Sequence, residues 1–148
     1  MKSHLSFLVL LAAALLAVIE ALTAGTNAYT DFNRFDDALQ RVAKERKWPV
    51  KVDVDRLAGN TPNYDTEVRV TLQRVRRDPI EDYVFRAWVI LVVKGEKHDF
   101  GIVTYHYNAR LGQNYDDVFQ GVFRGGAAAV ADKIEPVLFP ELNPKKKK

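Results

Sequence analysis

Between residues 103 and 119 the chain reads VTYHYNARLGQNYDDVF, a stretch that gathers Tyr105, His106, Tyr107, Arg110, Asp116 and Asp117. An imidazole, a guanidinium and a carboxylate are groups suited to acid–base chemistry, so His106, Arg110 and Asp116 are the candidates for catalysis. Spacing argues against a common centre. Neighbouring strand residues point to opposite faces, which puts His106 with Ile102 and Thr104, and Tyr105 and Tyr107 with Val103. Asp116 and Asp117 follow Asn114 at the start of a helical pattern, where the helix dipole favours carboxylates. Adjacent helical residues diverge by about 100°, so neither this pair nor Asp36–Asp37 converges on one point. The expectation is that no residue here is catalytic, and that Asn108 to Asn114, with Arg110 at its centre, forms a contact loop.

Other candidates are for binding. Arg74, Arg76 and Arg77 precede Asp78-Pro79 at a turn, and guanidinium forks match carboxylates and phosphates. Tyr105 and Tyr107 offer aromatic surface. Lys145, Lys146, Lys147 and Lys148 end the chain, and each lysine near an anionic membrane is worth about 1 kcal/mol. That is enough for weak, salt-sensitive contact. A solvated hairpin end and a solubilising tail are the plain alternatives.

Absences narrow the chemistry. The chain has no cysteine, and its only serines are Ser3 and Ser6. Thiol nucleophiles, thiolate metal sites, disulfides and a cysteine lipid anchor are excluded, as are serine-nucleophile hydrolases once the first segment is set aside. With His98 and His106 the only histidines beyond His4, no metal site and no cofactor are expected. FRGGAAA lacks the spacing of a phosphate loop.

Lys2 and an apolar run from Leu5 to Ile19, broken only by Ser6, read as a secretory signal peptide over 1–28, with cleavage after Ala28 or Gly25. The run is shorter than the roughly 20 residues of a membrane span; an uncleaved signal anchor is the alternative. Either way the expected location is exported, periplasmic or secreted. Residues 29–142 then make one domain, and 143–148 a disordered lysine tail. The net charge is +3, and without the four terminal lysines it becomes −1. The basic character belongs to the tail, so no nucleic-acid partner is expected.

The elements follow from periodicity. Residues 31–48 carry an apolar stripe at Phe35, Ala38, Leu39, Val42 and Ala43, with Asn33 as the expected N-cap and Pro49 beyond the end. PVKVDVDRL and TEVRVTLQRVRR alternate as half-buried strands. YVFRAWVILVVKG is apolar on both faces over 87–93 and reads as a central strand covered on two sides; KHDFGIVTYHY is a further strand. A last helix opens after Asn114 and should stop at Pro136. Gly125-Gly126 inside it predicts a kink or a close approach to the sheet. The expected class is α+β: two layers, an antiparallel sheet of about four strands, two helices on one face, order α-β-β-β-β-α.

The passage FDDALQRVAKERKWPVKVD, the meander VRVTLQRV…VFRAWVILVVKG…DFGIVTYHY and the closing DDVFQGVFRGGAAAVADKIEPVL together resemble small exported α/β domains of bacterial envelope accessory proteins. These are the ABC-transport auxiliary and LptE-like type and uncharacterised lipoprotein relatives. The resemblance implies a non-enzymatic accessory protein that binds an envelope protein partner through the open sheet face or an edge strand. The absence of cysteine departs from the lipidated pattern. A small-ligand-binding periplasmic domain is the alternative, and an enzyme independent of Cys and Ser a more distant one.

Overall fold

The computed structural model describes residue 9 and residues 11–15, 31–56, 66–73, 75–77 and 82–140. Most of the expected signal segment, Arg74 and the lysine tail lie outside the described residues. Among those described, no helix is long and apolar enough to cross a membrane.

Helix α1 occupies residues 31–45. Its stripe holds, with Phe35, Leu39 and Val42 buried. Asn33 is not its N-cap, because the helix is already under way at residue 31. The helix ends in a Schellman pair: Trp48 N–H donates to the Ala43 carbonyl (2.9 Å) and Lys47 N–H to that of Lys44 (3.2 Å). Lys47 takes the left-handed conformation usual for glycine there (φ 54°).

The sheet comprises β1 (Asp53–Arg56), β2 (Thr66–Leu72), β3 (Arg76–Arg77), β4 (Asp82–Val93) and β5 (Glu96–Asn108). β2, β4 and β5 form the expected antiparallel meander, while β1 lies parallel to β2, so the sheet is mixed. Alternation has the same period in either direction, and the segment 57–65 is longer than the two to five residues of a hairpin. β1 is also shorter than the expected strand: Val50 precedes it and is exposed, whereas Val52 is core. β3 resumes the path of β2 along β4. Leu72 faces Ala87 and Arg76 faces Val84, so four steps on one strand match three on the other. That is a bulge.

β4 and β5 are joined by Lys94-Gly95, both at positive φ (49° and 82°), as a tight type I′ hairpin requires. A second irregularity interrupts the pairing at Val89/Ile90, where Gly101 sits at φ +67° and Phe100 is the extra residue.

Helix α2 (Tyr115–Leu138) is capped by Asn114, whose side chain accepts from Asp117 N–H (2.9 Å). It passes Pro136 and closes at Phe139, whose N–H reaches the Glu135 carbonyl (2.8 Å). Proline lacks the N–H that would serve the Asp132 carbonyl, and the helix runs only two residues beyond it. The glycines serve close approach. A Cβ on Gly121 would land on the Tyr107 ring, one on Gly125 on the Tyr105 ring, and one on Gly126 on Phe85.

Both helices cover the same face. Phe35, Leu39 and Val42 from α1 meet Val122, Phe123, Ala127, Val130 and Ile134 from α2 over Val68, Val70, Phe85, Ala87, Val89, Leu91 and Val103. Phe85 stacks on Phe35 (5.7 Å between centroids) and meets Phe123 edge-on (6.0 Å). The helix ends are tied by Glu135, which accepts from Arg46 (2.9 Å) and the Trp48 indole (2.8 Å); Arg46 also reaches Asp132 (2.8 Å). Burial alone would lower the Arg46 pKa, but the hydrogen bonds to Glu135 and Asp132 outweigh it and the net shift is upward.

Candidate partner-binding face

The face of the sheet away from the helices follows from strand parity. On β4 it presents Arg86, Trp88 and Ile90; on β5, Ile102, Thr104 and His106; on β2, Glu67, Arg69 and Thr71. Trp88 stands in register with Ile102 on one side and Thr71 on the other. Trp88 is 43% exposed and Ile102 52% exposed, so the second side of the run 87–93 is open to solvent at Trp88, while Val92 further along that side is buried. Ala87, Val89 and Leu91 are buried core on the helix side.

Trp88 is not a loose side chain. Its indole N–H donates to Asp99 Oδ1 (3.0 Å), and the same oxygen accepts from the Gly101 backbone N–H (2.8 Å). The β5 bulge sets Asp99 opposite Ile90, within reach of the indole. One carboxylate thus fixes both the bulge and the ring. Arg76, Arg86 and His106 lie on the same face toward its other end, in register with or beside Val84 and Thr104. All three are exposed.

At the β1 side the face is closed. Glu67 is 1% exposed; its Oε2 accepts from Arg69 Nε and Nη2, both at 3.2 Å. Among the described residues its Oε1 has no hydrogen-bond partner. Alternation with Val68 and Val70 puts Glu67 on the face away from the helices, which is open at Trp88 and Ile102.

The residues expected from sequence are dispersed. Tyr105 and Tyr107 point to the helix side, their rings against Gly125 and Gly121. His106 is exposed on the opposite face, across from Val84. Arg110 is exposed in the loop, where its N–H donates to Gln113 Oε1 (2.8 Å) and Gln113 N–H returns to its carbonyl (3.2 Å). With Gly112 at φ +85° this is a type II turn, and Gln113 Nε2 fastens it to the Tyr107 hydroxyl (3.0 Å). Asp116 is solvated, 3.9 Å from Arg34. Arg76 and Arg77 are exposed on β3; Arg74 and Lys145 to Lys148 lie outside the described residues. His106, Arg110 and Asp116 therefore sit on a sheet face, a loop and a helix start, with no contact among them.

Between α1 and α2 runs a groove of roughly 430 Å³ whose charged lining is Arg34, Arg41, Arg124, Asp37, Glu45 and Asp117. Arg124 and Glu45 pair across it at 3.3 Å. Its signs balance. Among the described residues no group of three or more His, Asp or Glu side chains could hold a metal ion.

Sequence reasoning missed Trp88, Ile102, Asp99 and Arg86. The available signal was Trp88 itself: in a period-two reading it falls opposite Ala87 and Val89, with Arg86 as its same-face neighbour.

No family model matches the chain, and no curated protein matches it. One solved structure is similar, a protein of Caulobacter crescentus CB15 described as a "putative lipoprotein". It shares 20% identity over 81% of this chain and 85% of that one, with a TM-score of 0.38. No link to ABC-transport auxiliary or LptE-like proteins emerges.

Proposed function

We propose that this chain is an exported, non-enzymatic accessory protein of the cell envelope that binds a protein partner through the open face of its sheet. The observation that supports the reading is the Trp88–Ile102 pair, exposed beside the β5 bulge, with the indole held by Asp99. A tryptophan ordered before binding loses little freedom on contact, and such residues dominate binding energy. Arg86 and Arg76 at the margin add charge that favours a partner bearing carboxylates. Export is carried by the leader-like residues 1–28.

The test is capture from the native envelope fraction with the wild-type chain, Trp88→Ala and Asp99→Ala. The partner recovered by wild type should be lost with Trp88→Ala and weakened with Asp99→Ala, while His106→Ala retains it. Undiminished recovery by Trp88→Ala would exclude this face.

A further inference from the structure

The two edges of the sheet are built differently. β1, at one edge, has four residues, and Asp53, Asp55 and Arg56 are three of them. Short length and charge are the usual means of preventing an edge from pairing with another chain. β5, at the other edge, has thirteen residues, and among the described residues it pairs only with β4. Its first part is interrupted by the bulge at Phe100-Gly101. Beyond that, residues 102–108 read IVTYHYN, with no Lys, Arg, Asp, Glu, Pro or Gly. No backbone hydrogen bond from a turn or loop reaches this stretch among the described residues.

We infer that β5 is a self-association edge, at which a second copy of this chain adds its own β5 antiparallel about Tyr105. The occupant follows from the register. A two-fold axis at Tyr105 sets Thr104 against His106 of the second copy, Val103 against Tyr107, and Ile102 against Asn108. Every pair keeps its face. No like charges meet, and a β-branched residue opposes an aromatic one, a favourable cross-strand combination. The pairing uses the whole bare stretch and stops where Gly101 turns the strand. Packing of Tyr105 and Tyr107 inward against Gly125 and Gly121 keeps these rings on the helix side of the strand. The result is one sheet continuous through two subunits, an isologous dimer. It is independent of the open-face partner.

The chain contains no cysteine, so single cysteines report the register directly. Full-length Thr104→Cys and His106→Cys should each give little disulfide-linked product alone, and a covalent dimer when mixed and oxidised. Light scattering of the unmodified chain at tens of micromolar should give twice the chain mass. Thr104→Lys, at an exposed position, should raise the dissociation constant at least about tenfold, with melting unchanged. A monomer at that concentration, no product from the mixture, strong product from either variant alone, or a dimer indifferent to Thr104→Lys each overturns the inference.

Discussion

Phe85 and Trp88 lie three residues apart on β4 and are both large aromatics, yet they are held by different physics. Phe85 faces the helices. Phe35 and Phe123 flank it, and Gly126 has no Cβ, so α2 comes down onto the ring. Trp88 faces the other way and is positioned by one hydrogen bond to Asp99. Close packing fixes the first; a polar tether fixes the second while leaving its ring in water. Residue parity alone thus separates the packed face of the strand from the face proposed for recognition.

The difference can be broken from either side. Phe85→Ala should cost about 3–5 kcal/mol, because the cavity lies between two packed helices and a strand that cannot collapse; urea unfolding measures it. A loss below about 1 kcal/mol would mean that the helix-side face is not the core. Gly125→Ala is the next largest. Helix propensity alone would add about 1 kcal/mol of stability, but the new methyl meets the Tyr105 ring, and overpacking costs about 1–3 kcal/mol. A net loss is expected, and a net gain would show that the helix rides higher over the sheet. Trp88→Ala should have the smallest effect on stability, within about 1 kcal/mol, as for other exposed sites. If its unfolding midpoint fell as far as that of Phe85→Ala, the two faces would not be distinct.

Much of this fold was legible in the sequence, because period and turn chemistry are local. The α1 stripe, the β4–β5 hairpin around Lys94-Gly95, the Asn114 cap and the demand for close approach at Gly125-Gly126 all follow from residues within a few positions of one another. What was not legible depends on distant chain. Whether β1 runs with or against β2 is decided by the link between them, and alternation is silent on direction. Glu67 alternates with Val68 and Val70, which by period alone reads as a solvated position, but burial is set by what lies above the strand. Trp88 was hidden by composition: seven consecutive apolar residues suggest two covered faces, whereas the second face is covered at Val92 and open at Trp88. The density of VTYHYNARLGQNYDDVF likewise dissolves. Its tyrosines brace α2, its aspartates open it, and Gln113 ties the loop between.

The Lys94-Gly95 turn has a kinetic consequence. It joins the longest paired ladder in the molecule, Asp82 to Val93 against Glu96 to Asn108, with the smallest loop any two strands can share. Closing a short loop costs little chain entropy, whereas bringing α1 and β1 against partners far along the chain costs more. The hairpin is therefore the expected folding nucleus, with α2 condensing on it next and the N-terminal helix and β1 last. Pulse-labelled hydrogen exchange should find the amides of Val89 and Val103 protected before those of Leu39 and Val54; the reverse order would place the nucleus elsewhere.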